Sequence, residues 1–429
     1  MHALVFTSLL LLASAPLTLE QAVEQALSRN ERAQIAWNQR EVAEARWQQA
    51  RAFFFPTLDV TGAYTRRPGE VVRNVGGNSL VVQAADALNA TATLRWTFFD
   101  ARGIPLFQSA RRGLEAAEHD EKDARRNLGL DAARAFLMTL ASTQVHEAAQ
   151  RRYELAQKSL SEAEARFTAQ LVSVNDVTRA KLEKASALRE VTRTDGMRQL
   201  ALAQLGFLIH AETPLALERP TALLTFAEAE ENTPPEEDAL SQARTRRPDF
   251  LSILARAEAA ERLTLEPHLR HLPALSLRGT SRLTNEPGIV GRVLDGSAGV
   301  DLTWTLFDQG LRYADAHERN AQARVERLRA QAMERAIGVE VRTALVELKS
   351  ARGALTQAQV AAQSAQLNAD EMAELYRRGL ARALEVADAA VRLFEAEVAL
   401  AEERFKVALS LLQLRAAQGL DTFGNPVTP

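Results

Sequence analysis

Two very long runs of helix-forming residues constrain the fold of this chain more than any other feature. They cover residues 104–168 with 172–207, and 311–377 with 382–417, and are rich in Ala, Glu, Arg, Gln and Leu, which favour helices. A helix of ~65 residues is ~100 Å long, whereas helices in globular domains average about 12 residues. The runs therefore predict long helices packed side by side, on a scale that an ordinary globular domain does not reach.

Apolar side chains mark a packing face on these helices. They recur three and four positions apart, for example at Leu155, Ala156, Leu160, Ala163 and Phe167. This spacing predicts a coiled-coil-like interface. Because many of the packing positions are Ala, neighbouring helices can approach closely.

The same order of features occurs twice, which predicts a tandem duplication. In each half a helical stretch leads to a proline, Pro56 or Pro273, and then to two strand-like segments and two long helices. Residues 167–177 match 376–386, and 94–100 match 302–308. The predicted parts are a first repeat at 16–225, an acidic proline-containing linker at 226–237, a second repeat at 238–420 and a tail at 421–429.

The strand-like segments, at about 57–66, 90–99, 274–283 and 298–307, alternate apolar and polar side chains. Segments of about ten alternating residues are typical of outer-membrane barrel strands, whose apolar side chains face lipid. Ordinary half-buried hairpins are the alternative, but four such segments beside helices this long favour the barrel. The side chains predicted to face lipid include Leu94, Trp96, Phe98, Leu302, Trp304 and Leu306.

Four strands are too few for a closed barrel, because the smallest known barrels have about eight. An open sheet edge is not tolerated in lipid, since its backbone groups would have no partners there. The chain must therefore associate with further copies of itself. This argument requires at least two copies and does not choose between two, three and four.

Composition excludes several other functions. The 429 residues carry a formal net charge of -3 with no cysteine, so disulfides, thiolate metal sites and cysteine nucleophiles are absent. Basic and acidic residues are interleaved, which gives no indication of nucleic-acid binding. No phosphate loop or hydrolase motif occurs, so we predict neither an enzyme nor a bound cofactor. His268 and His271 form a H-x-x-H pair, which we interpret as interfacial rather than metal-binding.

The N-terminus has the pattern of a secretory signal. An apolar run from Ala3 to Leu12 is followed by Ala13-Ser14-Ala15, an A-x-A type cleavage site. Residues 1–15 are therefore predicted to be a signal peptide, although no basic residue precedes the run and Pro16 follows the site. An N-terminal helix is the alternative.

The assembled motifs resemble the TolC family of bacterial outer-membrane efflux proteins. The resemblance rests on Leu-Thr-Leu-Glu-Gln-Ala at 17–22, on the two prolines that precede strands, on the Trp-Thr-x-Phe-Asp segments at 96–100 and 304–308, and on the matching segments 166–177 and 376–386. It covers nearly the whole chain after the signal.

This resemblance implies a mainly α fold with a small β part. Three chains would share a transmembrane β-barrel of twelve strands above a periplasmic α-barrel tunnel of twelve helices. The segments near 170 and 379 would be turns at the periplasmic tip, where the family docks with a periplasmic adaptor protein that connects it to an inner-membrane transporter. The resemblance covers both tripartite efflux pumps and type I secretion systems and does not identify the cargo.

Site residues follow from the same resemblance. The periplasmic gate would comprise Asn175, Asp176, Tyr376, Arg382, Glu385 and Asp388, with Asn175 and Asp176 facing Tyr376 and the last two residues forming inward acidic rings. Adaptor docking would involve Leu171, Val172, Gly379, Leu380 and Ala381. Two positions depart from the family pattern: Gln170 stands at a usual glycine and Ala381 at the gate arginine, which Arg382 could replace. The alternative for Glu385 and Asp388 is that their carboxylates are simply exposed to solvent on the helix surface.

Two competing functions remain at this stage. A coiled-coil scaffold with no transport role would explain the long helices but not the four alternating strands or the A-x-A site. A periplasmic adaptor would fit the long hairpins but not two repeats with Trp-bearing strands. We therefore expect an outer-membrane exit duct.

Overall fold

The computed structural model describes residues 16–75, 77–211, 216–286 and 292–426, and the signal peptide predicted at 1–15 lies outside them. The chain divides into two compact units. The first comprises the described parts of Met1–Trp37, Asp120–Asp249 and Met333–Pro429, and the second comprises Asn38–His119 and Phe250–Ala332.

The first half of the chain runs helix, helix, strands, long helix, shorter helix. Its elements are α1 (Leu19–Arg29), α2 (Glu31–Ala52), β1 (Thr57–Arg66), β2 (Val71–Val75), β3 (Asn78–Gln83), β4 (Asp86–Phe99), α3 (Gly103–Thr168) and α4 (Val174–Ile209). Pro105 lies in the first turn of α3, where its missing N–H removes no helical hydrogen bond.

The second half follows the same order. After α5 (Thr221–Glu228) and a 3-10 turn (Glu230–Asn232) come α6 (Glu236–Arg246), α7 (Pro248–Leu263), α8 (Glu266–Leu269), β5 (Ala274–Thr284), β6 (Leu294–Thr303), α9 (Leu311–Arg377) and α10 (Ala383–Ala417). The predicted mainly α fold with a small β part is confirmed.

Local sequence explains where α1 begins and ends. Thr18 Oγ1 accepts from the backbone N of Gln21 at 3.2 Å, and Gln21 Oε1 accepts from the backbone N of Thr18 at 3.3 Å. This capping box satisfies two backbone donors at the start of α1. Asn30 then ends α1, is buried, and donates through Nδ2 to the carbonyl oxygen of Leu208 at 3.1 Å. The side chain of Asn30 thereby ties the first two helices to the end of α4.

The first unit has an apolar core drawn from the long helices. Its largest fully buried side chains include Phe136, Leu137, Leu205, Phe405 and Leu412. Each contributes about 1.5–3 kcal/mol relative to an exposed position. Further along the same helices, Ala148 and Ala149 of α3 pack with Phe394 of α10. These contacts agree with the Ala-rich packing face that the sequence predicts.

The second unit contains a four-stranded antiparallel sheet in the order β1-β4-β5-β6. Thr57 pairs with Arg95, Trp96 with Leu277, and Ala274 with Thr303. Among the described residues, β1 and β6 each pair on one side only. The sheet therefore has two open edges.

Several boundaries differ from the sequence-based expectations, for reasons of strand pairing. β4 starts at Asp86, because it pairs along the whole of β1. β6 runs from Leu294 to Thr303 rather than from 298 to 307, because its partner β5 begins only at Ala274. Trp304 and Leu306 therefore follow the strand instead of lying within it.

Two further differences concern segments expected to be irregular. β2 and β3 form a separate hairpin that we did not predict. The stretch expected as a linker contains the 3-10 turn and both adjoining helix ends. The same stretch is hydrogen-bonded to α9, because the buried Arg352 donates through Nε to the carbonyl oxygen of Ala227 at 2.7 Å.

Across the described ranges, no helix combines the length and apolar character that a membrane crossing requires.

Candidate functional site

The sheet has an exposed apolar face. Leu94, Trp96 and Phe98 on β4 and Leu302 on β6 are all exposed, as is Arg95, while Thr93 and Thr97 are partly buried. Leu302 has 62% of its surface accessible. A water-soluble sheet shows the opposite arrangement, because apolar side chains are normally withdrawn from water.

Trp304 and Leu306 lie beyond the end of β6. Both are exposed, as are Phe307 and Leu311 after them. The indole N–H groups of Trp96 and Trp304 nevertheless have hydrogen-bond acceptors. Trp96 Nε1 donates to the carbonyl oxygen of Phe54 at 3.0 Å, and Trp304 Nε1 donates to that of His271 at 3.0 Å.

The opposite face of the sheet carries hydrogen-bonded polar groups. Arg278 Nε donates to Asp301 Oδ2 at 2.8 Å, and the hydroxyls of Thr280 and Ser297 are 2.7 Å apart. A sheet with one apolar and one polar face suits a barrel wall between lipid and a water-filled lumen.

The H-x-x-H pair is not arranged as a metal site. His271 Nδ1 lies 2.8 Å from Arg312 Nη1, and because a guanidinium only donates, the ring nitrogen accepts. No group of three His, Cys, Asp or Glu side chains within the described ranges could hold a metal ion.

The two turns between long helices share one backbone geometry. In the first, Leu171 N donates to Arg166 O at 2.9 Å; in the second, Leu380 N donates to Leu375 O at 2.8 Å. These are the hydrogen bonds of a Schellman turn, which needs a left-handed residue. Gly379 fills that position with φ 76°, and Gln170 fills it with φ 59°. The departure at Gln170 therefore leaves the turn geometry intact.

Acidic residues cap the helices that follow the turns. Asp176 Oδ2 accepts from the backbone N of Ser173 at 3.0 Å and from its hydroxyl at 2.8 Å. Glu385 Oε2 accepts from the backbone N of Arg382 at 2.7 Å. Both residues are thus used as helix caps, which also places negative charge at a helix N-terminus, where it is favourable.

Tyr376 meets Arg166 across the two turns. The Arg166 guanidinium lies 4.3 Å from the centre of the Tyr376 ring, and its Nη1 donates to the carbonyl oxygen of Tyr376 at 3.0 Å. Tyr376 is 8% exposed. The resemblance places Asn175 and Asp176 opposite this tyrosine, whereas the structure brings Arg166 to it. Asn175 is exposed.

The second acidic position has a basic partner. Asp388 Oδ2 accepts from Arg392 Nε at 2.8 Å, one helical turn along α10. This hydrogen bond raises the pKa of the Arg392 guanidinium. Any negative potential from Asp388 is therefore partly offset by its own helix.

The tips of both turns expose large apolar side chains. Leu171 is 75% exposed and Leu380 is 74% exposed. Val172 and Ala381 beside them are partly buried. Leucines at the ends of long hairpins have no packing role within the described chain, which suits a contact with another protein.

A cavity of about 480 Å³ lies between the helices behind the turns. Its walls include Leu155, Leu393, Phe394 and Tyr376, with the ion pair of Arg152 and Glu183 at 2.7 Å. The pair is nearly buried, with side-chain exposures of 11% and 20%.

Comparison with known proteins decides the family. A family model described as outer membrane efflux protein matches residues 22–209 and 239–420, and each stretch lies within one of the halves predicted at 16–225 and 238–420. The chain belongs to the outer membrane efflux protein family. A comparison with curated protein sequences found no match.

Solved structures of outer-membrane channels share the fold of this outer membrane efflux protein. The Campylobacter jejuni CmeC outer membrane channel is 18% identical with a TM-score of 0.79, over 96% of this chain and 87% of that one. The Vibrio cholerae outer membrane protein VceC is 18% identical with a TM-score of 0.76, over 94% and 96%. The open state of the Neisseria gonorrhoeae MtrE channel is 18% identical with a TM-score of 0.74, over 95% and 90%.

Family membership confirms the predicted resemblance and the predicted role as an outer-membrane efflux duct. Sequence reasoning missed Arg166, since its target is a backbone carbonyl 210 positions away and no local pattern marks such a contact. It also missed the partner of Asp388, although an Asp followed four positions later by an Arg is a recognisable helical ion pair.

Proposed function

We propose that three copies of this chain form an outer-membrane exit duct that passes substrate from the periplasmic side to the outside. The observation that carries the proposal is the sheet: one face is apolar and exposed, and both edge strands are open. Lipid would cover the exposed face, and neighbouring copies would cover the edges.

Pairing between copies would close the barrel. β1 of one chain would pair with β6 of the next, so that three copies contribute twelve strands. The sheet alone requires at least two copies, and the number three rests on the family resemblance. The polar face, with Arg278 and Asp301, would line the lumen.

The long helices would project into the periplasm and end at the two turns. There, the exposed Leu171 and Leu380 would meet a periplasmic adaptor, which connects the duct to an inner-membrane transporter. Energy for transport would come from that transporter, because we assign no catalytic residues to this chain. Both efflux-pump and type I secretion partners are compatible with this arrangement.

Two measurements on the full chain test the proposal. Washing membranes with high salt should leave the protein in place, and detergent should release it, because a lipid-covered sheet is held by apolar contact. Native mass spectrometry of the detergent extract should show a trimer. Release by salt as a monomer would favour the coiled-coil scaffold instead.

A further inference from the structure

The two repeats pair their strands in the same register. The prolines that precede strands lie 217 positions apart, and the two Trp-Thr segments lie 208 positions apart. When these offsets are applied to the pairs of β1 with β4, they give the pairs of β5 with β6. Thr57 opposite Arg95 becomes Ala274 opposite Thr303, and all ten pairs agree. The sheet therefore follows the repeat residue by residue.

The junction between the repeats, where β4 pairs with β5, is staggered. Arg95 lies opposite Arg278, which is four positions beyond Ala274, the repeat equivalent of its β1 partner Thr57. A closed barrel needs such a stagger, because its strands tilt relative to the barrel axis. Since the two pairs within the repeats run without this offset, the junctions between repeats must supply it.

The two open edges of the sheet are the repeat equivalents of this junction. β6 corresponds to β4, and β1 corresponds to β5. When the same offsets are applied to the pairs of β4 with β5, they place Thr61 opposite Thr303 and Gly62 opposite Leu302. Thr61 and Thr303 both belong to the polar face of the sheet, and Gly62 and Leu302 both belong to the apolar face. A shift of one residue would mix the two faces, so the repeat register also satisfies the alternation of each strand.

The residues after β6 indicate that this edge needs a neighbour. β1 pairs with β4 only as far as Arg95, yet β4 continues to Phe99 because β5 pairs with it there. Within the part of the chain that the structure describes, the equivalent residues 304–307 pair with no strand. A β1 strand in the junction register would pair with them, beginning with Val60 opposite Trp304.

Gly62 and Gly279 are repeat equivalents with different surroundings. A Cβ at Gly279 would lie 3.7 Å from the Cβ of Leu94, the residue opposite it. A Cβ at Gly62 would meet no atom of the described chain within 4 Å, its sequence neighbours aside. In the junction register Leu302, the equivalent of Leu94, would cover Gly62 in the same way. The backbone that glycine leaves unshielded would then be packed in both repeats.

We propose that a second copy of this chain binds along β6 through its own β1, in the register of the β4–β5 junction. Thr61 of one copy lies opposite Thr303 of the next, Leu302 covers Gly62, and residues 304–307 become part of the strand. This inference rests on the proposed duct and adds the register of the seam between copies, which the number of copies leaves open. Backbone hydrogen bonds along the seam pair edges that lipid would leave unsatisfied.

Cysteine pairs measure this register, because the chain has no cysteine of its own. Side chains directly opposite each other are about 4.5–5.5 Å apart at Cβ, close to the span of a disulfide, whereas a shift of four residues adds about 13 Å. Oxidation of the detergent-purified Thr61→Cys/Thr303→Cys trimer should give covalent trimers on a denaturing gel. The matched control is Thr57→Cys/Thr303→Cys, which is directly opposed only if the seam follows the pairs within the repeats. It should crosslink at least about tenfold less.

A second cysteine pair tests the extension of β6. Asp59→Cys/Thr305→Cys should crosslink only if residues beyond Thr303 run alongside β1 of the next copy. Within one chain, β4 and β5 lie between β1 and β6, which separates the two edge strands by about 14 Å. A covalent product therefore joins different copies.

The outcomes separate the register from the duct. A parent chain that is monomeric in native mass spectrometry contradicts the duct function itself. A trimer in which Thr57→Cys crosslinks to Thr303→Cys better than Thr61→Cys does overturns the register and leaves the duct intact. A trimer in which neither pair crosslinks overturns it equally. Crosslinking at Thr61→Cys without crosslinking of Asp59→Cys to Thr305→Cys overturns the extension of β6.

Another pair keeps the comparison available if the first double variant does not assemble. Thr65→Cys/Gly299→Cys lies in the same proposed register, at the far end of the seam. Its control is Thr65→Cys/Asp295→Cys, which is directly opposed only in the register of the pairs within the repeats. Stronger crosslinking of the control would overturn the proposal.

Discussion

Trp96 and Trp304 donate the same hydrogen bond in the two repeats. Each indole N–H binds the carbonyl oxygen two positions before a proline, that of Phe54 before Pro56 or that of His271 before Pro273, and both distances are 3.0 Å. The bond joins the end of one strand to the start of its neighbour. It also lets a large apolar ring stay exposed without leaving a donor unpaired.

Replacing these tryptophans by phenylalanine should weaken the sheet while keeping its face apolar. Trp96→Phe and Trp304→Phe should each cost about 1 kcal/mol, the usual net value of one hydrogen bond. Thermal dissociation of the trimer, followed on gels, measures the effect. Trp37→Phe, in α2, is the matched control. Equal midpoints for all three variants would show that the indole N–H bonds contribute nothing to the stability of the trimer.

A charge on the exposed face of the sheet should be far more damaging than one on the polar face. Leu94→Arg should cost up to about 2–4 kcal/mol if the position is near the bilayer midplane. Thr93→Arg, one residue earlier and on the other face, should cost much less. Urea unfolding in lipid vesicles gives the two values. If the two substitutions prove equally costly, the assignment of faces is wrong.

The positive-φ residues of the two turns should respond in opposite ways. Gln170→Gly should relieve about 1–2 kcal/mol of backbone strain, because glycine adopts the left-handed conformation without a steric penalty. The greater conformational entropy of glycine in the unfolded chain offsets about 0.5–1 kcal/mol of this gain. The net effect on the free energy of unfolding should therefore be neutral to stabilising. Gly379→Ala should be destabilising by about 1 kcal/mol, since Ala resists positive φ. Circular dichroism melting of the purified trimer compares them. A stabilising Gly379→Ala would contradict the turn geometry.

Leu171 and Leu380 should be needed for export but not for assembly. Leu171→Asp combined with Leu380→Asp places charges where we expect an apolar adaptor contact, and buried unpaired charges are costly. Export should be lost while the trimer remains in the membrane, as judged by transport of a substrate that the parent chain exports and by trimer yield. Thr178→Asp, at an exposed position one turn into α4, is the control. Full export by the correctly assembled double variant would exclude the contact.

Periodicity predicted what depends on local order and missed what depends on distant partners. The bounds of α9 follow from the local sequence, because helix propensity and apolar spacing act within a few turns. The end of β6 does not, since it depends on where β5 begins. The β2–β3 hairpin could have been found, because Val-rich runs flank Gly76-Gly77, a turn signal.

The candidate site shows the same division. Gly379 and the exposed leucines follow from the turn sequence. The environments of Asp388 and Glu385 do not follow from the family resemblance, which assigns both residues to acidic rings. In the structure, one carboxylate caps a helix and the other pairs with Arg392. Whether they also face the passage is a prediction that conductance can test.

Asp388 and Arg392 together should set the ion preference of the tip. Threefold symmetry would turn each residue into a ring of three, and a ring of carboxylates in a narrow passage concentrates negative potential. Because Arg392 lies 2.8 Å from Asp388, it offsets part of that potential. Arg392→Gln should therefore increase cation preference and strengthen block by a trivalent cation added on the periplasmic side.

Removing the acidic groups should have the reverse effect in the same bilayer recordings. Asp388→Asn with Glu385→Gln should lose most of the block and much of the cation preference. Asp370→Asn, further up α9 and hydrogen-bonded to Gln366 at 3.1 Å, is the control for a carboxylate outside the expected constriction. If the double variant is blocked as strongly as the parent, Asp388 and Glu385 lie away from the passage. The alternative of two solvated carboxylates with local helical partners would then be correct.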